Sequence, residues 1–457
     1  MQNMTLANIA ACLNATLCGA ADKEQFEIKG AVLDSRKVEE GYVFFAAKGE
    51  RVDGHSFIPQ VAAKGAALVI CETAPSVEIP YIVVENTLEA LKKVAAFYRE
   101  QLSIPIVGVT GSVGKTSTKE MIAAALSVKF NVWKTQGNFN NEVGLPLTIL
   151  SIRKEHEAAV VEMGISDFGE MHRLSYIAKP DICVITNIGQ CHLENLGDRD
   201  GVLKAKTEIF DFMAKDGAVV LNGEDDKLRT IGQVQGRKPY FFGMDFEENT
   251  TVQMDVTATQ VQGKGLFGSD FRMNLMGECK DAFVPLPGQH MVRNALAAAC
   301  VGHILGMSMD EVLRGIASVQ ATTGRSNILK LTDKTVIDDC YNANPVSMKS
   351  AIDLLMMANG RKCVILGDMF ELGAQELALH REVGMYAAMA PLEQMIFIGN
   401  LSEQMYEGAQ KLRACPEYYR DKEAFFAAHK PEDFKDTTVL IKASHGMHFE
   451  EIVEWMK

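Results

Sequence analysis

The chain has 457 residues, 47% hydrophobic and 23% charged, with a formal charge of −13. That length outgrows a single hydrophobic core, so two or three domains are expected. The ordinary apolar and charged fractions exclude a disordered, collagenous or coiled-coil chain, and the acidic balance opposes nonspecific binding to nucleic acid or to an anionic membrane.

Residues 31–34, 42–45, 67–70 and 81–84 read as short buried strands. A helix over 87–101 follows, with Leu88, Leu91, Val94, Ala95 and Tyr98 on one face, and Ser103-Ile104-Pro105 breaks the pattern. The rhythm then becomes strand, turn, helix. Residues 106–110, 158–161, 182–188 and 218–221 are predicted strands, with a helix over 115–128 and another over 202–212. Such alternation implies a largely parallel sheet covered by helices. A β-rich polar stretch follows Gly243, then an alanine-rich helix over 291–305. From about residue 323 a third block sets strands 335–339, 362–366, 395–398 and 439–442 between helices, like a smaller Rossmann-type domain without a GxGxxG turn.

Ten cysteines stand singly with no CxxC pair, so neither a zinc knuckle nor a disulfide framework is indicated. The start Met1-Gln2-Asn3-Met4 lacks the features of a signal peptide, and no apolar stretch approaches membrane-spanning length. The expectation is a reduced cytoplasmic protein.

The most informative stretch is Gly108-Val109-Thr110-Gly111-Ser112-Val113-Gly114-Lys115-Thr116, a strand running through a glycine turn into a helix. Backbone N–H groups of such a turn surround a phosphate, Lys115 reaches the β- and γ-phosphates, and the Thr116 hydroxyl ligates Mg²⁺. Val109 stands where the strict pattern has glycine, but Gly111, Gly114, Lys115 and Thr116 are intact. Nucleotide binding is the reading. Glu162, closing the strand 158–161, suits a metal ligand and equally a solvated strand end. His192 falls on the same sheet edge, though a lone histidine more often packs or faces water. Lys206 on its helix reads as a solvated lysine. Gly137-Asn138-Phe139-Asn140-Asn141-Glu142-Val143-Gly144 is either a turn-rich connection or an amide-rich loop for a polar substrate. Asp338-Asp339-Cys340-Tyr341-Asn342-Ala343-Asn344-Pro345 sits where α/β proteins put ligand contacts, or is a helix-entry turn capped by Asn344 or Ser347.

Taken together, Asp34-Ser35-Arg36, residues 110–117, 137–146, 162–164, 192–194 and 204–210, Gly288-Gln289-His290 with Asn294, Gly324-Arg325, and residues 339–345 and 367–373 with His380 resemble the Mur ligase family over nearly the whole length. The resemblance implies an α/β protein of three domains. These are a mixed α/β UDP-binding domain over 1–102, a central P-loop parallel-sheet ATPase over 103–322, and a C-terminal Rossmann-like domain over 323–457 that closes over ATP. It implies ATP contacts at residues 110–116 (Thr110, Gly111, Ser112, Val113, Gly114, Lys115, Thr116), Asn294, Arg325 and Asp339. It further implies magnesium ligands at Thr116, Glu162 and His192, and a carbamylated Lys206 holding a second Mg²⁺. Lys115, Glu162, His192 and Lys206 would then be catalytic. Ser35 and Arg36 would face the UDP group, and Asn138 with Asn141 the sugar-peptide.

The amide-rich loop and the runs at Tyr341 and Gly367 direct the expectation further, to joining D-alanyl-D-alanine (D-Ala-D-Ala) to UDP-MurNAc-tripeptide. The reaction would pass through an acyl phosphate, in a monomer that makes peptidoglycan precursors and takes no nucleic-acid partner. His445 stands where such chains usually carry arginine, and the Asp-Asn-Pro-Arg motif of the diaminopimelate-adding enzymes is missing. Folylpolyglutamate synthases share the phosphate loop and are the nearest rival, and a noncatalytic nucleotide switch is the other.

Overall fold

The computed structural model describes residues 1–20, 22–49, 52–189, 191–244, 253–320, 327–370, 372–412 and 415–457. Three sheets carry the fold. The first has five strands in the order Leu17–Cys18, Tyr81–Val83, Leu68–Cys71, Tyr42–Phe45, Gly30–Val32, parallel except at Leu17–Cys18. The second has nine, in the order Glu278–Val284, Ser269–Leu275, Val256–Gly263, Tyr240–Met244, Ala218–Asn222, Ile182–Ile185, Ile106–Thr110, Ala158–Glu162, Val132–Lys134. Its strands from Val132–Lys134 to Val256–Gly263 are parallel. The third runs Asn327–Lys330, Thr335–Asp338, Thr437–Lys442, Arg361–Gly367, Gln394–Ile398, Glu417–Tyr419, with its first pair antiparallel.

These sheets fall into two compact units: Met1–Gln260 with Phe271–Ala282 and His290–Ser318, and Val319–Lys457 with Val261–Asp270 and Phe283–Gln289. One helix shows why the first two sheets share a unit. Thr87–Glu100 starts where the Asn86 side chain accepts from the Glu89 N–H at 2.9 Å, a standard N-cap. It then buries Leu91, Val94, Ala95 and Tyr98. The Tyr98 hydroxyl donates to the Ile152 carbonyl at 2.7 Å, and buried Arg99 donates to the carbonyl of Ala178 and the carboxylate of Asp181. A single apolar core accordingly runs from Met4 to Phe241.

In the second unit apolar residues fill both faces of the sheet, Val364, Leu366, Phe397 and Leu440 on one and Cys363, Ile365, Ile396 and Ile441 on the other. That alternation is what parallel strands covered on both sides require.

The predicted elements are present with shifted ends. The helix expected over 202–212 is Arg199–Thr207 followed by a 3₁₀ turn, Glu208–Phe210, and the strand expected over 182–188 stops at Ile185. Beyond Ile185 the chain leaves the ladder because Thr186, Asn187 and Gly189 hydrogen-bond the phosphate loop, while Ile188 N–H donates to Asp225.

Candidate functional site

The strand Ile106–Thr110 lies between Ile182–Ile185 and Ala158–Glu162, all parallel, so their carboxyl ends share one edge. At that edge Gly111 has φ +150° and Gly114 φ +80°, and the helix Lys115–Leu126 begins. A Cβ on Gly111 would lie 1.9 Å from Thr186 Oγ1, so glycine there is a packing requirement. The turn is stapled from its neighbour. Ser112 N–H donates to the Asn187 carbonyl at 3.1 Å and Val113 N–H to Asn187 Oδ1 at 3.0 Å. The Val113 carbonyl accepts from Thr186 Oγ1 at 2.7 Å and Asn187 Nδ2 at 3.0 Å. Lys115 Nζ donates to the Gly111 carbonyl at 3.0 Å, folding back over the turn. Thr186 and Asn187 were invisible in the sequence as loop-holding residues, because only the sheet order sets them beside Val113.

Val109 pairs in register with Glu162, which puts Thr110 and Glu162 on adjacent strand ends. Glu162 is 2% exposed, so the solvated-strand-end alternative fails. Its N–H donates to Thr135 Oγ1 at 2.9 Å, and its Oε1 accepts from Asn140 Nδ2 at 2.8 Å. Among the described residues three buried side-chain atoms have no hydrogen-bond partner, and two of them are Glu162 Oε2 and Thr110 Oγ1. A buried unpaired carboxylate oxygen is costly unless a cation meets it. The described residues contain no group of three His, Cys, Asp or Glu side chains placed to hold a metal ion. The donors offered are instead hard oxygens, Glu162 and the Thr116 hydroxyl, which suit Mg²⁺, an ion that takes few protein ligands and keeps water and phosphate oxygens.

Lys206 is 1% exposed, on the buried face of Arg199–Thr207. The solvated reading fits its neighbour Lys204, whose ammonium sits 5.7 Å from the Phe168 ring centroid. Burial, then the nearby Lys115 charge, pushes the Lys206 ammonium down to about 8, against an opposing effect of Cys191. His192 adopts φ +51° and is exposed, and its pKa is lowered by burial of part of the ring, then by Lys206 and Lys115. Lys115, His192 and Lys206 therefore lie within one another's field, and a loss of charge at Lys206 would relieve all three.

The remaining expected residues divide. Asn141 Oδ1 accepts from the N–H groups of Val143 and Gly144, so its carbonyl caps the helix Gly144–Leu150. Asn138 accepts from Asn140 at 2.9 Å. Buried Asn294 accepts from the Thr118 hydroxyl at 2.9 Å, one turn into the phosphate-loop helix. Ser35 and Arg36 form a 3₁₀ turn capped by Asp34, and Lys64 Nζ, which the sequence did not single out, holds both of their carbonyls at 2.9 and 3.1 Å.

In the second unit Asp339 follows the strand Thr335–Asp338 and accepts from buried Lys442 at 2.6 Å. The helix-entry alternative also holds, since Asn344 and Ser347 form a reciprocal capping box. His445 is exposed, 5.8 Å from the Tyr341 ring centroid. His380 is fully buried, its Nε2 accepting from Met369 N–H at 2.9 Å and its Nδ1 bonding the Glu376 carbonyl at 2.7 Å, which fixes a neutral tautomer. Arg325 lies outside the described residues.

Three family models match in succession: Mur ligase family, catalytic domain, over residues 27–113; Mur ligase middle domain over 109–302; and Mur ligase, glutamate ligase domain, over 324–445. The chain is 37% identical to the UDP-N-acetylmuramoyl-tripeptide–D-alanyl-D-alanine ligase of Bacillus subtilis (strain 168), across 99% of this chain and 98% of the relative. Among solved structures, MurF from Acinetobacter baumannii aligns with a TM-score of 0.89 at 32% identity, covering 99% of this chain and 98% of that one. MurF ligase from Thermotoga maritima, in complex with ADP, aligns with a TM-score of 0.77 at 30% identity, covering 93% and 96%.

Proposed function

The chain belongs to the Mur ligase family, and from that premise we propose that it uses ATP to join D-Ala-D-Ala to UDP-MurNAc-tripeptide. A carboxylate cannot acylate an amine directly, because its leaving group would be oxide. A terminal carboxylate oxygen of the tripeptide attacks the γ-phosphorus of ATP, the bond to the β-phosphate oxygen breaks, and ADP leaves. The dipeptide amine then attacks the acyl phosphate carbonyl, phosphate departs with its bridging oxygen, and the amine proton is released.

The phosphate-loop N–H groups and Lys115 cradle and neutralise the phosphates. Thr116, Glu162 and His192 would hold Mg²⁺, which screens the triphosphate against the incoming carboxylate. Lys206 belongs to the same proposal as a carbamate, formed when its neutral amine bonds the carbon of CO₂ and loses a proton, and it would hold a second Mg²⁺. Burial and the lowered ammonium pKa support that modification. Asn294, Arg325 and Asp339 are proposed nucleotide contacts, Ser35 and Arg36 contacts to the UDP group, and Asn138 and Asn141 contacts to the sugar-peptide. The domain boundaries at 102/103 and 322/323, a monomeric state and a cytoplasmic location complete the reading. No helix among the described residues is long and apolar enough to cross a membrane.

The observation that carries the proposal is the orphaned Glu162 oxygen beside the phosphate loop, in a chain whose residues 27–113, 109–302 and 324–445 match family models. Phosphate release should require UDP-MurNAc-tripeptide and rise with D-Ala-D-Ala. Release that ignores the dipeptide would point to a plain ATPase. A Lys206→Ala variant should lose at least about a hundredfold in kcat, as removal of a transition-state charge partner does. Full activity in that variant would remove the carbamate.

A further inference from the structure

We propose that Asn140 is a positioning residue that sets the torsion of Glu162 and thereby the metal requirement of nucleotide binding; the inference rests on the magnesium reading above. Asn140 is 9% exposed, and its Nδ2 donates to Asn138 Oδ1 at 2.9 Å and to Glu162 Oε1 at 2.8 Å. Both partner oxygens are acceptors, so chemistry fixes which way the amide faces. Turning it over would set Oδ1 against two oxygens and leave both unsatisfied.

The amide is itself held by the backbone. Asn140 N–H donates to the Asn138 carbonyl, and its own carbonyl accepts from Gly164 N–H, both at 2.8 Å. A Cβ on Gly164 would lie 3.1 Å from Asn140 Cγ and Nδ2, so the Glu162-Met163-Gly164 run packs closely on Asn140. Thr135 fixes the Glu162 N–H, leaving only the side-chain torsions of Glu162 to be decided. Asn140 decides them by engaging Oε1 and leaving Oε2 as the single unpartnered oxygen. The amide also ties the loop bearing Asn138 to this carboxylate, so one side chain spans two parts of the site.

Asn140→Asp keeps the shape and replaces the donor with a second carboxylate. Calorimetric ADP titrations over a range of Mg²⁺ concentrations would compare the wild type, Asn140→Asp, Glu162→Gln and the double variant. Asn140→Asp should raise the Mg²⁺ concentration for half-maximal tightening of ADP binding by about 10–100-fold, the usual cost of losing an outer partner of a metal ligand. ADP binding in EDTA should stay at the wild-type value. The double variant should be no worse than Glu162→Gln alone, because Asn140 acts only through that carboxylate. An unchanged Mg²⁺ requirement, or losses that multiply in the double variant, would overturn the inference. Asn140→Ser, which removes the amide without adding charge, gives the same contrast if the aspartate variant does not fold. A wild type whose ADP binding ignores Mg²⁺ would instead remove the magnesium reading itself.

Discussion

Gly111→Ala probes the phosphate loop most sharply, because two separate costs meet at one atom. The residue sits at φ +150°, which an alanine adopts only under strain of about 1–3 kcal/mol. Its new Cβ would fall 1.9 Å from Thr186 Oγ1, 3.1 Å from Thr186 Cβ and 3.2 Å from Thr186 N. The last two belong to the residue just past the strand Ile182–Ile185, whose N–H is tied to the Thr110 carbonyl at 3.0 Å, and have little room to retreat. Moving the hydroxyl breaks its 2.7 Å bond to the Val113 carbonyl, at about 1–3 kcal/mol for a buried hydroxyl left unpaired. The combined loss of about 2–6 kcal/mol corresponds to a drop of about 4–24 °C in the unfolding transition of the first unit, at roughly 2–4 °C per kcal/mol. Gly137→Ala is the control. That residue also has positive φ, +54°, but nothing lies within 4 Å of its Cβ, so only a backbone cost of about 1–2 kcal/mol applies. Differential scanning calorimetry of both variants, with ADP titrations alongside, reads the difference. A Gly111→Ala protein that melts no lower than Gly137→Ala would refute the stapled-loop geometry.

Breaking the buried Lys442–Asp339 pair with Lys442→Met should cost about 3–5 kcal/mol in urea unfolding of the second unit, because a buried carboxylate loses this cation. Restoration of stability on adding Asp339→Asn would confirm the cause. His380→Leu should cost about 1–3 kcal/mol by stranding the buried Met369 N–H, and a neutral effect would show that His380 Nε2 does not accept that bond. The Arg36 side chain, and then its backbone N–H, hold the Asp34 carboxyl down to about 2 from the ordinary 3.8. A depressed carboxyl contributes stability above its unfolded value and loses it as the pH falls through about 2. A carbon-13 titration should show Asp34 moving back toward the ordinary value in Arg36→Met, and no movement would show that the pair is not formed in solution.

The phosphate loop was legible because its residue types and its strand-to-helix setting are both local in sequence. Sheet alternation gave the strand positions for the same reason, whereas Ile182–Ile185 ended early because Val113, 73 and 74 residues earlier, claims Thr186 and Asn187. Lys204 and Lys206 look alike on a helix read by composition, yet one lies over Phe168 and the other is buried. Helical phase relative to the sheet decides that, and a short polar helix hardly reveals it. Among the three amides of the Gly137 loop, Asn138 and Asn141 stood out by resemblance. The structure gives Asn141 a capping role and makes Asn140 the link to Glu162. Loop conformation makes that choice, and no spacing rule contains it. Three expected domains and two compact units are compatible facts of packing, since the Thr87–Glu100 helix joins the first two sheets through one core.

The central claim is that the tripeptide carboxylate is activated by direct phosphorylation, and the fate of its oxygen tests this most directly. With UDP-MurNAc-tripeptide labelled with ¹⁸O in the terminal carboxylate, turnover in the presence of ATP and D-Ala-D-Ala should transfer a single labelled oxygen to each released phosphate, with one ADP formed per amide. Unlabelled phosphate, or phosphate released at the same rate without the dipeptide, would contradict the account.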